Sequence, residues 1–346
     1  MEDEFYIDYG RLDPIQRQFI DRRVTKSMVI TGKAGSGKSV IALHKAKQVS
    51  ALGTYAIVVF TKTLKKYFHD GLSKLGLSNI YYYDEWKHNK VNVKYLIVDE
   101  CQDFSTDEIT DLCNHGEILF FFGDQDQPIM SFRKELQKVQ NTANQIGVIM
   151  EPLYTNYRLT IENANISEFV GKVEDVSEKC IRNGEKPTLI CANSIDSQLD
   201  EIIRIIKNKS LSNVGILLPY NTRDSAQRSR LRNPLLSVEY AKEYFNKKGI
   251  TNEYKYNADK DTEMDLDFHS SNPKIMTWWC AKGLQFKDVF IPCCEINYEE
   301  EKRSAIYVAM TRSSERLYIC YSNSISNFFP APDSDLYAKN NDIEII

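Results

Sequence analysis

The sequence predicts an α/β protein of two lobes, each a mostly parallel sheet flanked by helices. Three observations carry this. Short apolar runs alternate with amphipathic segments along most of the chain, the pattern of repeated strand–helix units. The runs are apolar at nearly every position, as expected of strands covered on both faces. The 346 residues suffice for about two domains of the usual ~100–200 residues.

Asp13-Pro14 pairs an N-cap with proline at N1 and opens a helix expected to bury Ile15, Phe19 and Ile20. Strands are expected at Ser27–Thr31, Tyr55–Phe60, Lys94–Val98 and Glu117–Phe122. Ser105-Thr-Asp-Glu108 is a capping box that starts a short helix, and Tyr81-Tyr82-Tyr83 reads as sheet packing. The second half repeats the style, with strands at Pro187–Ala192, Asn213–Leu218, Pro273–Trp278, Asp288–Cys293 and Arg316–Tyr321. Helices are expected at Ser194–Lys209, with Ile195, Leu199, Ile202, Ile203 and Ile206 on one stripe, at Ser237–Lys248 closed by Gly249, and at Ser304–Arg312. Thr251–Pro273 is polar and acidic and reads as a loop. The lobe boundary falls near residues 140–160, giving lobes 1–150 and 151–346.

Composition excludes several classes. With 42% hydrophobic and 27% charged residues the chain is globular rather than disordered. No apolar run approaches the roughly 18 residues of a bilayer span, so no membrane role is expected. The acidic start, MEDEFYIDYG, is unlike a leader. Eight cysteines without a CxxC fit a reducing, cytoplasmic setting, and Cys113-Asn114-His115 lacks the second pair that a zinc site needs. A net charge of −4 argues against a large basic face coating nucleic acid, though not against a local groove.

Gly32-Lys-Ala-Gly-Ser-Gly-Lys38-Ser39 matches GxxxxGK(S/T) between a predicted strand and a predicted helix. In such a loop, Gly32, Gly35, Ser36 and Gly37 let successive backbone N–H groups wrap phosphates, Lys38 reaches the β/γ-phosphates of ATP, and the Ser39 hydroxyl ligates Mg²⁺. Leu96-Ile-Val-Asp99-Glu100 is an apolar strand ending in two carboxylates. Beside a P-loop this places Asp99 at Mg²⁺ and Glu100 where it orients and deprotonates the attacking water. Two solvated acids at a strand end are the alternative.

From these motifs onward the order resembles superfamily 1 helicases of the UvrD/Rep type, from about residue 12 to 322. Leu12-Asp-Pro-Ile-Gln16 is similar to the Q motif, whose Gln holds the adenine edge. Asp99-Glu-Cys-Gln102-Asp103 resembles DExQD, with Gln102 linking nucleotide state to the DNA side. Phe122-Gly-Asp124-Gln-Asp-Gln127-Pro-Ile-Met-Ser-Phe132-Arg133 resembles motif III, which implies that Gln127 senses the γ-phosphate, Phe132 stacks on a base and Arg133 joins the nucleotide-binding set. Asn156-Tyr157-Arg158 resembles motif IV, opening the second lobe, with Tyr157 on adenine and Arg158 on the γ-phosphate. Thr277-Trp-Trp-Cys-Ala-Lys282-Gly283-Leu-Gln285-Phe286 resembles motif V, which adds Gly283 and Gln285 to the nucleotide set, and Val308-Ala-Met-Thr311-Arg312 resembles motif VI, whose Arg is a finger. The resemblance thus implies two RecA-like P-loop NTPase lobes with catalytic Lys38, Glu100, Gln127, Arg158 and Arg312. A surface ion pair is the alternative for either arginine taken singly.

Single-stranded nucleic acid is expected across the tops of the lobes. Phe60-Thr61 matches motif Ia, and Phe132, Trp278 and Trp279 offer flat faces; base–aromatic stacking contributes ~1–3 kcal/mol per base without reading sequence. Core packing is the alternative for Phe60 and the tryptophans. Three positions depart from the family: Trp279 stands where His is usual, Gln285 where Glu is usual, and Met130 where Tyr is common. The stretches 65–97 and 257–272 are also short where the family carries its inserted 1B and 2B subdomains.

Two readings follow. The first is an Mg-ATP-driven translocase on single-stranded DNA, travelling 3′→5′ by family resemblance, with RNA the less favoured strand. The second is an ATP-gated regulatory module that licenses a partner, such as a nuclease in DNA repair or phage defence, with little unwinding alone. Strand separation needs about 1.4 kcal/mol per base-pair step, and a motor without the inserted subdomains has less surface with which to grip a duplex.

Overall fold

Valine, isoleucine and phenylalanine crowd the strand runs of the first 157 residues, and those runs pair side by side rather than folding back as hairpins. The computed structural model describes residues 7–73, 75–124, 136–229, 233–256, 263–296 and 298–339. The chain divides into two units, Met1–Tyr157 and Arg158–Ile346.

In the first unit the strands are β1 (Met28–Gly32), β2 (Tyr55–Val59), β3 (Ile80–Tyr82), β4 (Val93–Val98), β5 (Gly116–Gly123) and β6 (Met150–Leu153). They form one six-stranded sheet in the order β3-β2-β4-β5-β1-β6, parallel at every pairing. Register pairs Thr31 with Gly123, Val58 with Val98, and Val98 with Phe121. The carboxyl ends of β1, β2, β4 and β5 therefore share one edge, where open α/β sheets bind ligands. The helices are α1 (Pro14–Asp21), α2 (Lys38–Ser50), α3 (Lys62–Ser73), α4 (Tyr83–Asn89), α5 (Thr106–Cys113) and α6 (Val139–Gln145). One core cluster joins Val29, Val58, Leu96, Val98 and Phe121 of the sheet to Trp86, Phe104, Ile109 and Leu112.

Local chemistry sets the helix starts. Asp13 caps α1 and Ser105 caps α5, each in a full capping box, with Pro14 at N1 of α1. Ile15 departs from expectation: it is 47% exposed, and Gln16, Phe19 and Ile20 take the buried face. The amide of Gln16 is buried because the protein satisfies it, so its polarity did not mark it as a surface residue.

The second unit opens with β7 (Asn156–Thr160), which begins in the first unit and pairs with β8 (Cys180–Arg182) in a small two-stranded sheet. Its main sheet comprises β9 (Thr188–Ala192), β10 (Val214–Leu218), β11 (Glu253–Tyr256), β12 (Glu263–Asp265), β13 (Lys274–Thr277), β14 (Phe286–Ile291) and β15 (Ser313–Ser322). Their order is β12-β11-β13-β10-β14-β15-β9, parallel except for the antiparallel β11–β12 pair. The helices are α7 (Ile161–Gly171), α8 (Ile195–Asn208), α9 (Arg223–Arg228), α10 (Val238–Lys247) and α11 (Arg303–Met310). The α8 stripe of Ile195, Leu199, Ile202, Ile203 and Ile206 is buried as its spacing requires, in one cluster with Val214, Ile216, Phe245 and Phe290. Where α7 meets α11, a Cβ on Gly171 would lie 2.7 Å from the Tyr307 ring, so only glycine permits that approach.

The 251–273 stretch corrects the loop expectation, because it contains β11 and β12. Its polar residues are buried in pairs: Glu253 and Lys274 are 5% and 3% exposed and lie 3.5 Å apart. Glu253 also accepts from the Asp267 amide at 2.7 Å and from Asn272 Nδ2 at 3.2 Å. Partners brought together by the fold make a strand of a segment whose composition reads as solvent-exposed. β6 was likewise not expected; it is a four-residue edge strand interrupted by Pro152.

All eight cysteines are free, and Cys101, Cys180, Cys293, Cys294 and Cys320 are buried. Among the described residues no helix is long and apolar enough to cross a membrane, and no group of three or more His, Cys, Asp or Glu is arranged to hold a metal.

The buried Glu253–Lys274 pair yields a test. Glu253→Ala leaves a buried ammonium without its carboxylate and is expected to lower the unfolding free energy by about 3 kcal/mol, whereas the double change to methionine at both positions recovers most of that loss. Chemical denaturation of the three proteins measures this; equal losses in single and double variants would contradict it.

Candidate nucleotide site and nucleic-acid face

The loop between β1 and α2 has a backbone whose carbonyls are each tied down. Lys38 Nζ donates to Gly32 O at 2.6 Å and to Lys33 O at 3.2 Å. The Asn156 side-chain amide donates to Ala34 O at 2.9 Å, the Tyr157 backbone N–H to Gly35 O at 2.9 Å, and Gln16 Nε2 to Ser36 O at 3.4 Å. Gly37 O accepts the first helical bond from Ile41 N at 3.0 Å. Six consecutive carbonyls, of residues 32–37, thus bond to groups from α1, α2 and the start of β7. The Ser36 N–H donates to Lys33 O at 3.2 Å, and the loop's other N–H groups, at the N-terminus of α2, form its anion-binding face.

Two glycines are obligatory there. Gly37 has φ +87°, and a Cβ on it would run into Gln16 Nε2. On Gly32 a Cβ would sit 2.5 Å from Ser36 Oγ and 3.0 Å from Leu153 O. The Ser36 hydroxyl is buried with no hydrogen-bond partner among the described residues. A tight, glycine-lined cradle with an unsatisfied buried hydroxyl and a buried lysine fits a triphosphate.

Beside the cradle β4 ends in Asp99, which is fully buried, and the Ser39 hydroxyl donates to Asp99 Oδ2 at 2.6 Å. Burial first, and the Glu100 charge second, push the Asp99 carboxyl up to about 6; the Ser39 bond and Lys38 act in the opposite direction. Glu100 sits in the left-handed region at φ +56°, a sparsely populated conformation for a residue other than glycine. It is held by its neighbours: its N–H donates to Asp99 Oδ1 at 3.0 Å, and Gln102 Nε2 donates to its Oε2 at 2.6 Å. Gln102 Oε1 in turn accepts from the Asp124 amide at 2.9 Å. One glutamine therefore bridges the end of β4 to the end of β5. The hard oxygens of Ser39 and Asp99 fit a magnesium ion, with Glu100 beside them.

Gln16 and Tyr157 join the same unit. Gln16 is 4% exposed and packs against Gly37. The Tyr157 hydroxyl donates to Asp13 Oδ2, the second oxygen of the residue that caps α1. Burial, then this bond, push the Tyr157 phenol up to about 12. The far end of α1 is braced by Lys45, whose ammonium donates to Ile20 O and Arg22 O, both at 2.7 Å, and whose amine is pushed down to about 8 by burial. The division after Tyr157 falls inside the 140–160 range expected for the boundary, and Asn156 and Tyr157, which bond to the P-loop, lie in the first unit. Asn156, Asp13 and Lys45 are the contributors that local pattern did not single out; Asp13 was visible only as a cap.

In the second unit Arg158 Nε donates to Gln285 Oε1 at 3.0 Å, so Gln285 holds an arginine side chain. Gly283, two residues earlier, has φ +78°. Arg312 is 2% exposed; its Nε donates to Val308 O at 2.9 Å, Nη2 to Thr311 Oγ1 at 3.0 Å and Nη1 to Leu284 O at 3.4 Å. Trp278 is core rather than a flat face for bases: it is 1% exposed, its Nε1–H donates to Leu217 O at 3.1 Å, and it meets the Tyr298 ring edge-on. The next residue turns the other way. Trp279 is half-buried, with the Lys302 ammonium 5.5 Å from its ring centroid and 5.3 Å from that of Tyr220.

Back in the first unit, Phe60 is half-buried and meets Phe104 edge-on at 5.2 Å, while the Thr61 hydroxyl accepts from Leu64 N at 3.1 Å, capping α3. Gln127, Phe132 and Arg133 lie outside the described residues.

Comparison with known proteins bears on these constellations. The model of the viral superfamily 1 RNA helicase core domain matches residues 28–203, and that of the UvrD-like helicase C-terminal domain matches residues 223–324. The ATP-dependent DNA helicase PcrA of Staphylococcus aureus (strain Mu50) is 26% identical over 276 residues, covering 72% of this chain and 36% of PcrA. The chain thus spans little more than a third of the length of that relative. Among solved structures, the arterivirus nonstructural protein 10 helicase in complex with DNA aligns at 15% identity with a TM-score of 0.45, covering 90% of this chain and 62% of its own. The PRRSV helicase aligns at 14% identity with a TM-score of 0.47, covering 88% and 54%.

The carbonyl ties give a second test. Asn156→Ala strands the Ala34 carbonyl and is expected to cost about 1–3 kcal/mol in unfolding free energy. Amide exchange at residues 33–37 should quicken, with β9 unaffected. Unaltered exchange in the loop would show that the tie is dispensable.

Proposed function

The chain belongs to the UvrD-like superfamily 1 helicases, and we propose that it is a single-stranded-DNA-stimulated Mg-ATPase that translocates along one strand. The observation that carries this reading is the first unit's cradle: a P-loop with every carbonyl tied, and Ser39, Asp99 and Glu100 beside it. In the mechanism proposed, the N–H groups of the loop's anion-binding face bind the triphosphate and Lys38 neutralises its β/γ-oxygens. Ser39 and Asp99 hold magnesium, which when bound draws charge from the phosphate oxygens. Glu100, fixed by Gln102, orients the attacking water and takes its proton. Gln16 and Tyr157 hold the adenine, while Arg133, Gly283 and Gln285 complete the nucleotide set. Gln127 senses the γ-phosphate. Arg158 and Arg312 of the second unit stabilise charge on that phosphate, a role worth ~10³–10⁵ in rate for an arginine finger. For Arg312 this requires a guanidinium that also keeps its own lobe's carbonyls satisfied, which five donors permit.

For the strand, we assign Phe60, Thr61, Phe132 and Trp279 to the nucleic-acid face. PcrA's description as a DNA helicase supports DNA over RNA, and the family resemblance supports 3′→5′ travel. A second reading, an ATP-gated module licensing a partner such as a nuclease, is favoured by the short stretches 65–97 and 257–272. In either case a setting in DNA repair or phage defence, in the cytoplasm, is our proposal.

Steady-state hydrolysis with and without a short single-stranded DNA, with duplex and RNA controls, separates the two. Strong stimulation by single-stranded DNA is expected; ATP binding without stimulation would favour the regulatory module. Lys38→Ala should abolish hydrolysis in a protein that still folds, with a melting curve lowered only as far as the lost ties to the Gly32 and Lys33 carbonyls require, about 1–3 kcal/mol. Full activity in that variant would refute the site. Arg312→Ala should retain ATP binding and lose most turnover, and equal loss of both would make Arg312 a binding or structural residue.

A further inference from the structure

One carboxylate in the first unit serves two functional side chains. Asp13 Oδ1 accepts from Ile15 N at 2.5 Å and Gln16 N at 3.1 Å, which starts α1 and sets where Gln16 leaves it. The Gln16 side chain answers through Oε1, which accepts from the Asp13 N–H at 3.3 Å. The other oxygen, Oδ2, accepts from the Tyr157 hydroxyl, across 144 residues of sequence. A cap needs only one acceptor atom, so the second carboxylate oxygen is surplus to the helix and is committed to Tyr157.

The consequence is geometric. Tyr157 is tied at two ends: its peptide N–H to Gly35 O in the P-loop, its hydroxyl to Asp13. A tyrosine's phenolic oxygen lies on the Cβ–Cγ axis, so fixing both the backbone and that oxygen sets χ1 and with it the line along which the ring lies. Gln16 is fixed in the same frame, its backbone by Asp13 and its carboxamide by Ser36 O, while Lys45 holds the far end of α1. We propose that Asp13 is a positioning residue for recognition of the nucleotide base, locking Gln16 and Tyr157 into one arrangement relative to the P-loop. This rests on the reading of the P-loop as the ATP site. Base and triphosphate are then read by parts that cannot shift independently, and the tether acts on the base alone.

Two substitutions isolate the tether. Serine at position 13 keeps an N-cap of similar strength but has a single oxygen; phenylalanine at position 157 keeps the ring and removes the hydroxyl. Binding of Mg-ATP and of inorganic tripolyphosphate is measured by calorimetry for the wild type, Asp13→Ser, Tyr157→Phe, the double variant and Lys38→Ala. The tether predicts that ATP affinity falls about 5- to 20-fold in each single variant, as for one lost hydrogen bond, while tripolyphosphate affinity holds within about two-fold. The double variant should match the weaker single, because both changes break the Asp13–Tyr157 bond and only Tyr157→Phe also removes the Thr155 bond to the same hydroxyl. Parallel loss of both ligands, an unchanged ratio, or additive losses in the double variant would each overturn the proposal. Should Asp13→Ser fail to fold, Tyr157→Phe alone decides the ratio. If the wild type binds neither ligand, or Lys38→Ala binds both as the wild type does, the ATP-site reading itself falls.

Discussion

Tying the P-loop carbonyls is the constraint from which much of the first unit follows. A loop that offers its N–H groups to an anion must turn its oxygens elsewhere, and a buried carbonyl without a partner costs free energy comparable to a lost hydrogen bond. Here each oxygen has its own donor: Lys38 for Gly32 and Lys33, Asn156 for Ala34, Tyr157 for Gly35, Gln16 for Ser36. These donors come from α1, from α2 and from a segment over a hundred residues downstream. The cradle is therefore a tertiary object, preorganised before any phosphate arrives, and preorganised donors are what make such sites effective.

The carboxylates beside it follow the same logic. Asp99 is buried at the end of a central strand, next to Glu100 in a strained left-handed conformation, an arrangement that raises its proton affinity. Ser39 and the Glu100 N–H donate to Asp99, Gln102 donates to Glu100, and Gln102 accepts in turn from the Asp124 amide. Strain and like charge persist where surrounding structure over-determines them, which is characteristic of functional sites. In the second unit, by the same principle, Gln285 holds Arg158, and carbonyls of residues 284 and 308 hold Arg312. Both arginines are oriented by their own lobe.

Aromatic residues show how far local chemistry goes. Trp278 and Trp279 are neighbours with equal claim to a flat nucleic-acid face, yet one is sealed beneath β10 and the other meets Lys302. Both lie in the turn that follows β13, where the backbone bond from Trp278 N to Leu218 O and the indole bond to Leu217 O hold the first against β10 and leave the second half-buried.

The sequence by itself determined what short-range physics controls. Continuous apolar runs marked the strands, Asp13 and Ser105 marked helix starts, the stripe on α8 marked its buried face, and glycine spacing with Lys38-Ser39 marked the phosphate loop. Each depends on residues within about four positions of one another, the reach of one helical turn or strand alternation. Only the tertiary structure decided which polar groups are satisfied at a distance. It made strands of the polar 251–273 stretch by pairing Glu253 with Lys274, and it buried Gln16 in place of Ile15. It also drew Asn156 and Tyr157 into the first unit, and joined Asp13 to Tyr157. Such pairings connect groups tens to hundreds of residues apart, and whether a buried polar side chain finds its partner depends on sheet order and register rather than on its neighbours in sequence.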